Sequence, residues 1–210
     1  MIDVHPPEHG IHGFRDFLIH LLTITVGLLI ALGLEASVEA LHHRHQRHEA
    51  EATIRQELQQ NREDLMKAQG SIQLEMRNME AILNFLEARS QGQHGDPSGL
   101  TLVMHEGPLH DAAWRTAAST GVLSYMDYGE VEKYALAYKE QDEFEAMEIQ
   151  ALNEYLQLDS FVVNGFDPQH VSPDDVKAAL PEVRHALALL GGMMDVSRGA
   201  IMAEDDALKH

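Results

Sequence analysis

The chain has 210 residues, enough for one packed domain plus an anchoring segment. Lys and Arg total 15 against 34 Asp and Glu, a formal net charge of -19. A surface this acidic repels nucleic acid, because duplex binding needs clustered Lys and Arg. Cys is absent, which excludes disulfides and thiolate-held zinc or iron–sulfur groups. His is in excess at 14, eight of them within the first 48 residues.

In chain order, residues 1–13 form an extended N-terminal tail, since Pro6, Pro7, Gly10 and Gly13 discourage helix. Residues 17–34 read FLIHLLTITVGLLIALGL, without an acid, a Lys or an Arg. At 1.5 Å per residue this run covers roughly 27 Å, close to a hydrocarbon core of about 30 Å. The segment before it has one Arg, three acids and two prolines, unlike the basic start of a cleaved signal peptide. The run is also longer than a signal core and continues into helical sequence, EASVEALHHRHQRHEAEA. The expectation is a retained transmembrane helix over residues 14–40. Arg44, Arg47 and Arg55 follow it and Arg15 precedes it, so the Lys/Arg count leans to a cytoplasmic C-terminal domain.

No Pro occurs between Pro7 and Pro97, and no Gly between Gly33 and Gly70. Ile54, Leu58, Leu65, Ala68, Ile72, Met79, Ile82 and Leu86 recur at three/four spacing, which predicts a long amphipathic helix over residues 41–89. Asn61 occupies one slot of that stripe, and Gly70 is a candidate break. Membrane and amphipathic helices together would reach roughly 110 Å if straight. Residues 90–107 are a loop containing SQGQHGDPSG and an apolar LTLV patch. Residues 108–210 then form a helical bundle packing on the long helix. Within it, PLHDAAWRTAAST is helical, Gly121 ends that helix and Asp127 caps the next, over residues 129–163. Residues 164–169 turn, Ser172-Pro173 starts another helix, Pro181 begins a further one, and Gly191-Gly192 bends it. No usable β pattern occurs. The predicted fold is all-α: a transmembrane helix continuous with a long amphipathic helix, followed by an antiparallel bundle.

At 100° per residue His20, Thr23, Gly27, Ala31 and Glu35 share one face of the membrane helix. Small residues at four-residue spacing let two membrane helices approach closely, and an imidazole in lipid seeks a partner. The face reads as a seam with a second copy or another membrane protein, or as a face lying in lipid. His20 could also serve as an axial haem ligand. In LHHRHQRHE, His42, His45, His48 and Glu49 fall one turn apart, a spacing that can bind a divalent metal through imidazole nitrogen. The same residues read equally as an interfacial collar among lipid headgroups, or as a pH-sensing group. Ile54, Leu58, Leu65, Trp114, Tyr134 and Tyr138 are candidate bundle core, and the methionines are gap-fillers. The acidic faces of residues 129–163 read as solvated. There is no Gly-rich phosphate loop, no GxSxG and no HExxH, so nothing argues for an enzyme.

The run HLLTITVGLLIALGLEASVEALHHRHQRHEAEATIRQEL, followed later by AWRTAASTGVLSYMDYGEVEKYALAYKEQ, resembles a group of uncharacterised bacterial single-pass membrane proteins. Gly27, Leu29, Ile30, Ala31 and Leu32 match their membrane-helix core. Trp114, Thr120, Gly121, Leu123, Tyr134 and Tyr138 match a later motif. The resemblance implies an inner-membrane anchor with an all-helical domain, and leans to a periplasmic domain. The functional expectation is a non-enzymatic interaction or assembly module, self-associating or accessory to a larger membrane complex. A haem- or metal-binding protein and a pH or ligand sensor are the alternatives.

Overall fold

The computed structural model describes residues 13–97, 100–102, 107, 109–163 and 172–209, with residues 159–163 described by backbone alone. It is all-helical, with no strand among the described residues. Helix α1 is Phe14–Ser90, α2 Ala112–Thr120, α3 Tyr128–Val163 and α4 Pro173–Ala207, with a 3-10 turn at Val122–Tyr125. The predicted N-terminal tail and the turn at 164–169 lie outside the described residues, except Gly13.

The chain divides into two compact units, Met1–His48 and Glu49–His210. In the first, α1 begins where the Gly13 carbonyl accepts from the Asp16 and Phe17 amides. Its apolar side chains, Leu18, Leu22, Leu29 and Leu34 among them, are exposed. By length and composition alone α1 and α4 could each cross a membrane. The apolar window of α1 is wholly exposed, whereas that of α4 is partly buried.

In the second unit α1 buries Ile54, Leu58, Asn61, Leu65, Ile72, Glu75, Met79, Phe85 and Leu86. This is the expected stripe, and it carries two polar members. Gly70 does not interrupt the helix. Packed side chains outweigh the roughly 1 kcal/mol that a helical Gly costs relative to Ala.

The direction of each helix follows from its bonded partners. Going up α1, Arg55 donates to the Leu208 carbonyl at 2.7 Å, Arg62 to Asp205 at 2.6 Å and Gln69 to Ser197 at 3.1 Å, and Glu87 accepts from Arg184 at 2.9 Å. Numbers rise on α1 as they fall on α4. On α3 they rise together: Glu57 meets Tyr138 and Asn61 meets Gln141. The connection after Ser90 must therefore travel back along α1, and the His110 peptide does lie beside Asn61. That return covers about 44 Å of helix, within reach of about twenty extended residues, which span up to ~66 Å.

Local signals account for the helix ends. Gly121 closes α2 at φ 75, a left-handed conformation suited to Gly. The Asp127 carboxylate accepts from the Gly129 and Glu130 amides at 2.9 and 3.4 Å and so starts α3. Ser172 caps α4 in a reciprocal box with Asp175, followed by Pro173. The expected new start at Pro181 does not occur, and α4 runs through it. The ring removes one backbone donor and strains one turn. Val176 and Ala179 before it and Val183 and Ala186 after it are all buried in one core, and that continuous packing holds the helix together. Met147 of α3 fills the space beside Gly192 of α4: a Cβ there would stand 2.5 Å from Met147 Cε.

Candidate functional site

The apolar core of the Glu49–His210 unit is two clusters. One gathers Leu65, Ile72, Met79, Phe144, Tyr155, Val183, Leu190 and Ala200 among others. The other gathers Ile54, Leu58, Ala117, Val122, Tyr134, Tyr138 and Ala207. The boundary between them is a single polar layer. On α1 Asn61 lies between Leu58 and Leu65, on α3 Gln141 between Tyr138 and Phe144, and on α4 Glu204 between Ala200 and Ala207. Asn61 and Glu204 have no exposed surface and Gln141 only 3%.

These groups form a directed chain of hydrogen bonds. The His110 amide donates to Asn61 Oδ1 at 2.9 Å, and Asn61 Nδ2 donates to the His110 carbonyl at 2.6 Å. That pairing orients the Asn61 amide, whose Nδ2 also donates to Gln141 Oε1 at 3.1 Å. Gln141 must then present its Nε2, which donates to Glu204 Oε1. Glu204 Oε2 has no hydrogen-bond partner among the described residues. Burial pushes the Glu204 carboxyl up to about 7, opposed in part by the Gln141 donor and the Arg62 charge.

One turn before Asn61, Glu57 completes the hold on the connecting segment. Its two oxygens accept from the Ala113 amide at 2.9 and 3.1 Å, and Tyr138 Oη donates to it at 2.7 Å. The side chain of Asp111 makes no capping bond to α2. An acid on α1 thus supplies the anionic cap that α2 lacks locally. Burial, then the Glu57 carboxylate, raises the Tyr138 phenol well above its usual range, so it stays a neutral donor. Trp114 stacks on Tyr138 with ring centroids 5.4 Å apart and planes 17° apart.

The structure places Ile54, Leu58, Leu65, Tyr134 and Tyr138 in the core, with Trp114 packed on the second cluster. Asn61, the polar slot in the α1 stripe, makes its bonds to other elements of its own bundle. His20, Thr23, Gly27, Ala31 and Glu35 are all exposed. His20 Nδ1 lies 2.9 Å from the Asp16 carbonyl and Thr23 donates to the Ile19 carbonyl at 2.8 Å. One ring nitrogen of His20 and the Thr23 hydroxyl are therefore satisfied inside their own helix. A Cβ on Gly27 would meet nothing within 4 Å. His42 and His43 bring their rings to 6.3 Å. Among the described residues no three His, Asp or Glu converge as a metal site would require, His42, His45, His48 and Glu49 included.

Sequence reasoning missed Gln141 and Glu204. Both were visible as polar residues at stripe positions, three residues after Tyr138 and four after Ala200. It also passed over Glu182 and His185, a Glu-x-x-His pair on α4. His185 lies 3.9 Å from Glu154 of α3, and burial, then contact with Glu182, raises the Glu154 carboxyl. No known protein family, curated protein or solved structure matches this chain.

Chemically, the layer orients and registers. A slip of one turn by any of the three helices would set an amide or a carboxyl against Leu58, Leu65 or Phe144, leaving it unpaired in apolar surroundings.

Proposed function

We propose that this chain is a non-enzymatic membrane protein of the bacterial inner membrane. Residues 17–34 of α1 span the bilayer once, and the helices after them form an antiparallel bundle that works as an interaction or assembly module. One observation carries the reading: an uncharged apolar stretch of α1 that is exposed throughout, in a chain whose other apolar stripes are buried. Such a stretch needs lipid or protein around it. Its polar groups already bond to the preceding helical turn, as a helix in hydrocarbon requires. The open side of Gly27, with Thr23 and Ala31 one turn away on either side, favours close packing against a second copy.

Two measurements test the reading. The protein should remain with membranes after alkaline carbonate extraction. In mild detergent, sedimentation equilibrium should give an oligomer that Gly27→Leu weakens by about tenfold, or ~1.4 kcal/mol. Extraction into the soluble fraction would refute the span, and a monomer indifferent to Gly27→Leu would refute self-association.

A further inference from the structure

We infer that Glu204 is a protonation-gated latch: its neutral form holds the last turns of α4 closed over the Ile54, Leu58 and Tyr138 cluster, and its ionisation releases them. The geometry carries this. Glu204 is wholly buried and accepts one bond, at Oε1, from a Gln141 amide that cannot reverse, because the His110 peptide fixes Asn61 and Asn61 fixes Gln141. Its other oxygen has no partner among the described residues. If that oxygen is charged, the charge sits in a layer with apolar clusters on both sides, where an uncompensated carboxylate is disfavoured.

The facing groups do not neutralise it. From α1, Arg62 is the nearby cation, but its Nε is committed to Asp205 at 2.6 Å. Glu57, also on α1, lies across Tyr138 and is itself acidic. From α3 come the neutral amide of Gln141 and the Tyr138 phenol, which the Glu204 charge itself pushes further toward neutrality. On α4 the neighbouring Asp205 adds a like charge. The His110 peptide of the connecting segment is neutral.

Other ties on this end of α4 run from Arg55 to the Leu208 carbonyl, from Arg62 to Asp205, and from Lys133 to Asp206 at 3.5 Å. The last two are at least partly exposed and hold weakly. Apolar contact there comes from Ala203, Ala207 and Leu208 against this cluster, and from Ala200 and Ile201 against the other. Lifting these turns uncovers Ile54 and Leu58, an apolar surface absent from the closed form.

The sign follows from linkage. The carboxyl ordinarily titrates near 4.5 and in the folded chain near 7. The folded state therefore binds the proton more tightly, and its contribution is complete below the ordinary value. It is lost as pH rises through the folded value. Hydrogen exchange of the whole protein in detergent micelles, corrected for the intrinsic pH dependence, reads this directly. Protection of amides 200–207 should fall on the order of fiftyfold between pH 5 and pH 8 in the native chain, and hardly at all in Glu204→Gln. Gln keeps an acceptor for Gln141 without an ionisable oxygen. The infrared band of a protonated carboxylic acid, present in the native chain at pH 6 and missing from Glu204→Gln, gives an independent reading of the native protein. Equal loss of protection in both proteins, or no acid band attributable to Glu204, would overturn the latch.

Discussion

Replacing Asn61 by Leu tests whether the polar layer holds the bundle together or merely occupies it. Asn61 makes three bonds from a site with no exposed surface: two with the His110 peptide and one with Gln141. Leu strands an amide hydrogen, a carbonyl and the Gln141 oxygen together. Each unpaired buried group costs ~1–3 kcal/mol. Against this, a buried Leu contributes ~2 kcal/mol of apolar transfer, and the connecting segment can relax partly toward water. The net loss is about 3 kcal/mol. The assay is urea unfolding of the full chain in micelles, followed by fluorescence of Trp114, the single Trp. Trp114 stacks on Tyr138 next to the layer. With a urea dependence of about 2 kcal/mol per molar, the midpoint should drop by ~1.5 M. A midpoint unchanged or raised would refute the reasoning. The layer would then resemble those buried polar groups whose hydrophobic replacement is neutral or stabilising.

Two further changes probe the ends of the elements. Gly95→Ala would put a methyl 2.6 Å from Phe85 Cδ2 and 2.9 Å from the Phe85 carbonyl. Because backbone stands in the way, the chain should lose ~1–3 kcal/mol, read as a lower urea midpoint. Ser172→Ala removes the acceptor for the Asp175 amide and half of the capping box. It should cost ~1 kcal/mol, seen as a melting temperature lower by about 2–4 °C.

The sequence by itself determined the all-helical class, the uncharged stretch at residues 17–34 and the core stripe of α1. All three are periodic or compositional properties of one segment, and a helix buries one face whatever it packs against. It also determined the ends at Gly121, Asp127 and Ser172, because caps act within a few residues. Tertiary structure alone decided that Pro181 lies inside a helix, since the packing that overrides it comes from residues on both sides meeting a common core. It alone decided that α1 and α3 run the same way, which depends on where the connecting segment returns. Above all, it decided that Asn61, Gln141 and Glu204 meet. Each is one polar residue in an apolar stripe, and taken singly none differs from a surface position slightly misread. Their shared level, 80 and 63 residues apart along the chain, exists only once three helices are in register, and register is a property of the assembled bundle.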